Sequence, residues 1–269
     1  MKAKGISITK FEPGVLNEDA VLARPDCIAV SDGAGGGGVF AERWSLYLVS
    51  NLPSQPITTF EALDGWIEQI WEPFYNECEQ WAKRLQDGMF LKKFYDEGSF
   101  ATLAALWPCE DRICWMTYGD SVAFHYNRET KVLEYTFGRL AEFNKPPYLV
   151  NCKDPLNADG FRAGTFELSH SSLFFVASDT LAHYIIMMYL LAHRDSHHDE
   201  IDEAIAAHCK NSVLVKQAAL ARKMDFERDV LGKLVNCIGH HTNFLRHLKR
   251  LRRQGLIGHD DYSLAVAQL

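Results

Sequence analysis

Apolar positions along the chain follow helical spacing in some regions and strand spacing in others. Residues 39–52 and 62–85 carry apolar side chains every three or four positions, which predicts two amphipathic helices, the second kinked at Pro73. Between residues 98 and 178, short apolar runs follow one another with turns between them, as antiparallel strands do. Helical spacing returns after Asp179 as far as about Leu256, and residues 262–269 predict a last strand.

This order of elements predicts the fold class. Short strands at residues 6–10, 20–23 and 27–30 precede the first helix, and helices and strands then occupy separate parts of the chain. Such segregation is typical of α+β layers rather than of a doubly wound parallel sheet. Because no linker divides the sequence, we expect one domain over residues 1–269, with a helical segment at about 180–256. Residues 138–164 predict a long irregular loop, which is a candidate lid.

Composition narrows the class of protein. With 269 residues, of which 47% are hydrophobic and 23% charged, the chain can bury a sizeable core. Its formal net charge of −7 argues against nucleic acid as a partner. The start lacks the apolar stretch of a signal peptide and no apolar run is long enough to cross a bilayer, so we expect a cytoplasmic protein with no membrane partner. Seven cysteines without a CxxC pair, such as Cys27 and Cys114 in apolar runs, predict reduced core thiols.

Carboxylates recur at the ends of the predicted strands. Asp32, Asp120 and Asp179 each follow an apolar run, and Asp260 and Asp261 precede the last one. An aspartate at the end of a buried strand costs free energy unless it is paired, and a hard divalent cation is the usual partner of several converging oxygens. Any one of these residues by itself would more often cap a turn or a helix. Their repetition favours a metal site.

Six segments carry a resemblance to a known family. In order and spacing they resemble the motifs of the type 2C, or PPM, metal-dependent serine/threonine protein phosphatases, and the chain is similar to a divergent bacterial-type member. The segments are NEDAV (17–21), AVSDGAGG (29–36), GSFATLAAL (98–106), YGDSVAF (118–124), FVASDTL (175–181) and DDYSLAV (260–266).

The resemblance implies a four-layer αββα sandwich, two antiparallel sheets flanked by helices, with two Mn²⁺ or Mg²⁺ ions at one edge. It implies that Asp32 bridges both ions and that the Gly33 carbonyl binds one of them. Asp179 and Asp260 would hold the other ion. Many family members bind a third ion more weakly, and Asp120 is its implied ligand here.

The resemblance also implies the reaction. Glu18, Asp19 and Asp32 would act in catalysis, with Glu18 and Asp19 at or next to the metals through water. A hydroxide that bridges the two metals would attack phosphoserine or phosphothreonine of a protein directly, because a metal pair can bind both the attacking and the leaving oxygen. Such a mechanism needs no nucleophilic side chain, and the sequence contains no G-x-S-x-G turn.

The chain departs from the family pattern at the phosphate-binding arginine, and this departure leaves more than one function open. The arginine with which the family grips the substrate phosphate corresponds to Gly14, and Lys10, Arg43 or Arg139 are candidate replacements. A phosphatase-like binding domain that is weakly active or inactive is therefore an alternative, as is a phosphohydrolase of small molecules. The basic stretch 246–253 is either the solvent face of a packed helix or a docking site for an acidic or phosphorylated partner.

Overall fold

A computed structural model of the chain describes residues 1–268 and contains two five-stranded antiparallel sheets and one short two-stranded sheet. The strands are β1 (Lys2–Ile8), β2 (Ala20–Ala23), β3 (Ile28–Ser31), β4 (Phe100–Ala101), β5 (Leu103–Pro108), β6 (Arg112–Tyr118), β7 (Val122–Asn127), β8 (Val132–Tyr135), β9 (Val150–Asn151), β10 (Phe161–Glu167), β11 (Ser172–Ala177) and β12 (Tyr262–Gln268). The first sheet has the order β1-β12-β11-β7-β8, and the second has the order β10-β6-β5-β3-β2. Strands β4 and β9 form the third.

Helices form two groups in the chain. The helices are α1 (Ala41–Ser50), α2 (Phe60–Arg84), α3 (Gly88–Glu97), α4 (Asp179–Ala192), α5 (Arg194–Ala206), α6 (Ser212–Arg222), α7 (Gly232–Cys237) and α8 (His241–Arg253). Short 3₁₀ turns lie at Leu140–Asn144 and Ala158–Gly160, and a π-helical turn lies at Glu227–Leu231. Helix α2 begins after Thr59, whose side chain accepts a hydrogen bond from the Ala62 N–H at 3.2 Å.

Three apolar cores separate four layers. Alternate residues of β11 face opposite ways: Phe174 and Val176 pack against the second sheet, whereas Leu173 and Phe175 pack against the helices from α4 to α8. The outer face of the second sheet packs against α1 and α2, with Trp44 fully buried between them. The result is a helix–sheet–sheet–helix sandwich. The predicted α+β class is confirmed.

Several boundaries differ from the sequence expectations. Helix α3 was not predicted, because few of its side chains besides Phe94 are buried and its apolar pattern is short. The segment 138–164 is less irregular than expected: it contains two 3₁₀ turns and β9, and β10 already begins at Phe161. The prediction of a single domain over residues 1–269 stays a prediction.

Two expectations drawn from composition have different outcomes. The expectation that Cys114 is a free thiol is wrong, because Cys109 and Cys114 form a disulfide. The antiparallel register of β5 and β6 places Trp107 opposite Cys114, and the hairpin turn brings Cys109 beside it. Within residues 1–268, none of the helices combines the length and the apolar character that crossing a membrane requires. The cytoplasmic location stays a prediction.

Candidate metal centre

The structure brings the predicted aspartates to one edge of the sandwich. Asp19 directly precedes β2 and Asp32 directly follows β3, and these two strand ends pair with each other. Asp120 lies in the turn between β6 and β7, which connects the two sheets at this edge. The end of β11 pairs with the starts of β7 and β12, so Asp179 after β11 and Asp260 before β12 lie at the same edge.

These carboxylates repel one another at close range, with Asp19, Asp120 and Asp179 buried and Asp32 and Asp260 partly buried. Burial raises the pKa of Asp32 well above its ordinary value, and the charges of Asp19 and Asp179 raise it further. Burial also raises the pKa of Asp19. Burial and then the charge of Asp179 raise the pKa of Asp120 to about 7 and that of Asp260 to about 6. A cation bound among these residues would relieve the repulsion.

Asp261 holds the N-terminal acidic segment in place, a role that sequence analysis did not assign to it. Its Oδ1 accepts a hydrogen bond from the Lys10 N–H at 2.6 Å, and its Oδ2 accepts one from the Glu18 N–H at 2.6 Å. The Lys10 Nζ in turn donates to Glu18 Oε2 at 2.9 Å. Glu18 is thereby fixed through both its backbone and its side chain.

Glycines allow the chain after Asp32 to pass close to Glu18. The Gly33 N–H donates to the Glu18 carbonyl at 3.1 Å, and a Cβ at Gly33 would lie 2.5 Å from that carbonyl oxygen. A Cβ at Gly35 would collide with Glu18 Oε1, whereas one at Gly36 would meet nothing within 4 Å. Close backbone approach therefore explains Gly33 and Gly35 but not Gly36.

The donor atoms at this edge are of the kind that a divalent cation prefers. Among the described residues, Asp19 Oδ2 and Asp179 Oδ1 are buried oxygens without a hydrogen-bond partner. An unpaired buried carboxylate oxygen costs free energy, and hard divalent cations prefer oxygen ligands of this kind. Nevertheless, within residues 1–268 no three His, Cys, Asp or Glu side chains lie close enough together to hold one ion as they stand.

Lys210 belongs to this centre, and sequence analysis missed it. It lies between α5 and α6, and its Nζ forms an ion pair with Asp179 Oδ2. Burial alone would lower the pKa of Lys210, but the charges of Asp179, Asp120 and Asp260 raise it above its ordinary value. The local sequence around Lys210 contains no motif, so the tertiary contact is what reveals its place.

The three cations predicted as replacements for the phosphate-binding arginine have different surroundings. Arg43 lies over the ring of Trp81, 4.3 Å from its centroid, and Arg139 pairs with Glu203 at 2.5 Å. Both side chains are therefore engaged by other groups. Of the three, Lys10 lies at the acidic edge, where it binds Glu18.

A cavity adjoins the centre on the side of the candidate lid. It has a volume of about 220 Å³ and its lining includes Asp120, Lys145, Tyr148 and Arg162. The segment 138–164 contributes most of this lining, so it borders the acidic edge as a lid would. The lining combines three acidic side chains, those of Asp120, Glu142 and Asp159, with Lys145, which pairs with Glu142 at 3.5 Å, and Arg162.

Bacterial phosphatases have the same fold. Serine/threonine phosphatase Stp1 from Staphylococcus aureus matches 100% of this chain and 95% of its own, with 14% identity and a TM-score of 0.55. PppA, a regulatory component of the T6SS in Pseudomonas aeruginosa, matches over 98% and 96% with 16% identity and a TM-score of 0.55. The catalytic domain of PstP in complex with two manganese ions matches over 98% and 96% with 13% identity and a TM-score of 0.54. No protein-family model matches the chain, nor does any curated protein sequence.

The four-layer sandwich is thus a fold that solved bacterial serine/threonine phosphatases such as Stp1 also have. The resemblance seen in the sequence is confirmed at this level. At 13–16% identity, the likeness concerns the fold and leaves the activity to be argued from the chain's own residues.

Proposed function

We propose that the protein is a metal-dependent phosphatase that hydrolyses phosphoserine and phosphothreonine of proteins. The observation that carries this proposal is the cluster of mutually repelling aspartates supplied by both sheets, with buried, unpaired oxygens on Asp19 and Asp179. Mn²⁺ or Mg²⁺ would balance this charge. The proposed metal-binding residues are Asp32, the Gly33 carbonyl, Asp179, Asp260, Asp19 directly or through water and, for a third and weaker ion, Asp120.

Two such ions, when bound, would supply the Lewis acidity that activates a shared water near neutral pH and stabilises the phosphoryl oxygens. The chain itself holds the acidic groups in position. Thr102 Oγ1 accepts a hydrogen bond from the Asp32 N–H at 3.3 Å and forms another with Ser121 Oγ at 2.7 Å, which ties Asp32 to the turn that carries Asp120. Glu18 and Asp19 lie beside this group and would orient water within it.

The test is hydrolysis of p-nitrophenyl phosphate and of a phosphothreonine peptide with Mn²⁺, with chelator, and by an Asp32→Asn variant. We expect chelator to abolish turnover, and Asp32→Asn to lower it by at least about 100-fold, since even residues that only support a ligand cost about 10–100-fold. Asp202→Asn, an exposed position on α5, is the matched control and should have full activity. Faster turnover of sugar or nucleotide phosphates than of the peptide would favour a small-molecule phosphohydrolase.

One observation favours a second function, a phosphatase-like domain that binds a partner without turnover. The Lys210 ammonium pairs with a proposed ligand, Asp179, and residues 1–268 contain no preformed group of three metal-binding side chains. If Mn²⁺ raises the melting temperature but no phosphate ester is hydrolysed, this second function replaces the first.

A further inference from the structure

Lys210 places a positive charge inside the carboxylate group of the candidate metal centre. Its side chain is 21% exposed, and its Nζ contacts Asp179 Oδ2. Its backbone has φ of 40°, in the left-handed region that side chains other than glycine seldom adopt. Partial burial of an ammonium and a left-handed backbone both cost free energy, and the ion pair with Asp179 offsets that cost.

The carboxylates that act on Lys210 are those proposed to hold divalent ions. Its ammonium contacts one oxygen of Asp179, and the charges of Asp120 and Asp260 also act on it. It therefore neutralises part of the negative charge that would attract a divalent cation, and it would repel a cation bound nearby. It also engages an Asp179 oxygen that would otherwise be available to an ion.

We propose, on the basis of the function proposed above, that Lys210 is a built-in cation that competes with the divalent ion of Asp179 and Asp260. The ion at Asp32 and Gly33 then binds first, and the second ion binds more weakly. Because of the Lys210 charge, the second position fills only at a higher concentration of free divalent metal than it otherwise would.

The experiment counts bound Mn²⁺ by titration calorimetry and equilibrium dialysis without substrate. Lys210→Met removes the charge and keeps the length of the side chain, so we expect the weaker Mn²⁺ ion to bind about tenfold or more tightly. Lys210→Arg keeps the charge and should bind Mn²⁺ as the unaltered protein does. Lys216→Met, an α6 residue that pairs with Asp202, is the control and should change nothing.

The outcomes separate this inference from the proposed function. Equal Mn²⁺ affinities of the Lys210→Met variant and the unaltered protein would overturn the inference and leave the phosphatase proposal intact. Weaker binding by Lys210→Met would overturn it too, because Lys210 would then orient Asp179 for the ion. If no variant binds Mn²⁺, both proposals fail. Should Lys210→Met lack the far-ultraviolet spectrum of the folded protein, Lys210→Gln provides the same comparison.

A second inference comes from a different surface, the basic cavity along α8. This cavity has a volume of about 530 Å³, and its lining includes Phe11, Arg246, Lys249, Arg252 and Arg253. Within residues 1–268, none of these four cations forms a salt bridge with a carboxylate. In a chain of net charge −7, four unpaired cations in one cavity form a site for an anionic partner.

The basic cavity adjoins the candidate metal centre through Phe11. The Phe11 ring stacks on Tyr262 with 5.4 Å between centroids, and Lys249 Nζ lies 5.6 Å from the centroid of the Phe11 ring. Lys10 precedes Phe11 in sequence, and Asp261 precedes Tyr262. At the acidic edge, the Lys10 N–H donates a hydrogen bond to Asp261 Oδ1. A peptide in the basic cavity can therefore extend toward that edge.

We infer that the basic cavity binds acidic residues beside the phosphorylated residue of a protein substrate, which again rests on the function proposed above. Phe11 and Leu245 add apolar surface to the four cations, so a peptide with acidic and apolar side chains suits the lining. The apolar side chains in the lining and the position next to the acidic edge favour a peptide over an anionic membrane.

The test measures binding of fluorescent phosphopeptides by polarisation in the presence of chelator. We expect an acidic-flanked phosphopeptide to bind about tenfold or more tightly than a basic-flanked one, and added salt to reduce the difference. An Arg246→Ala/Lys249→Ala variant should lose this preference. The control is Arg84→Ala/Lys93→Ala, on the helical layer at the other face of the sandwich.

Equal binding of the two peptides would overturn the second inference whether or not the protein hydrolyses phosphate. A preference for acidic flanks in a protein without turnover would support the cavity as a binding surface and refute only the phosphatase proposal. The surface would be assigned to membranes instead if the protein bound phosphatidylserine vesicles more tightly than the peptide and the Arg246→Ala/Lys249→Ala variant no longer bound them.

Discussion

The Asp261 carboxylate holds the backbone of Glu18, with 2.6 Å between Asp261 Oδ2 and the Glu18 nitrogen. Its other oxygen accepts a hydrogen bond from the Lys10 N–H at 2.6 Å. Asp261 is 2% exposed, and the residue that it fixes lies 243 positions earlier in the chain. The start of the last strand thus determines where the first acidic pair lies.

Asp261→Ala should destabilise the protein because it leaves the N–H groups of Lys10 and Glu18 without this acceptor. An unpaired buried donor costs about 1–3 kcal/mol, so the free energy of unfolding should fall by about 2–5 kcal/mol. Relief of the repulsion between Asp261 and Asp19 offsets part of this loss. Asp261→Asn keeps one acceptor oxygen and should cost about half as much. Urea unfolding with chelator measures the free energy of unfolding of both variants. A loss below about 0.5 kcal/mol for Asp261→Ala would contradict a stabilising role for these two hydrogen bonds.

The sequence predicted the carboxylates of the candidate centre because strand periodicity is local information. Apolar runs end at Asp32 and Asp179, and the edge of a sheet is where strand ends meet. Lys210 was missed because its contact with Asp179 joins residues 31 positions apart that share no pattern. The role of Asp261 was missed for the same reason. Neither contact can be detected from the spacing of residues or from composition.

Local signals also failed where tertiary packing decides the structure. The register of a hairpin, rather than a CxxC spacing, brings Cys109 to Cys114. In the segment 138–164, the Val150 carbonyl accepts a hydrogen bond from the Trp44 indole at 2.9 Å, and Ala101 pairs with Val150 in the short sheet. These distant partners impose order on a stretch whose own composition predicts a loop.

Gly35→Ala should disturb the candidate centre without unfolding the protein. The added Cβ would collide with Glu18 Oε1, the far end of a flexible side chain, so Glu18 must turn away and lose its contact with Lys10. We expect phosphatase activity to fall by about 10-fold or more, as for other residues that support a metal site, while the free energy of unfolding changes by less than about 1 kcal/mol.

Gly36→Ala is the matched control for this substitution, because its Cβ would meet nothing within 4 Å. It should keep full activity and the melting temperature of the unaltered protein. If the two alanine variants have the same activity, close approach of Gly35 to Glu18 plays no part in the site.

Trp44→Phe should loosen the segment that borders the centre. Trp44 is fully buried on α1, and its indole N–H donates to the Val150 carbonyl. Loss of one buried hydrogen bond and part of a ring should lower the free energy of unfolding by about 1–3 kcal/mol. Hydrogen exchange should also quicken in the segment 138–164. Trp81→Phe, at a position that is 41% exposed, is the control, and equal effects of the two variants would contradict a role for the buried contact.

The pKa of Asp120 predicts how stability depends on pH in the absence of metal. Burial and the charge of Asp179 raise this pKa from 3.8 to about 7, so the folded protein holds a proton that the unfolded chain releases above about pH 4. The raised pKa therefore costs stability as pH rises from about 4 to 7, and the cost is greatest above pH 7. Its upper limit is about 4 kcal/mol.

Asp120→Asn removes this dependence, and the comparison of the variant with the unaltered protein isolates it from other titrating groups. With chelator, the two proteins should have similar free energies of unfolding near pH 4, and the variant should become the more stable one as pH rises to 8. Asp202→Asn should track the unaltered protein throughout. Added Mn²⁺ should reverse the order near pH 8, because a divalent cation stabilises the ionised carboxylate that asparagine lacks. Urea unfolding at each pH measures the difference, and a gap that stays constant from pH 4 to 8 would show that Asp120 is not held protonated by its surroundings.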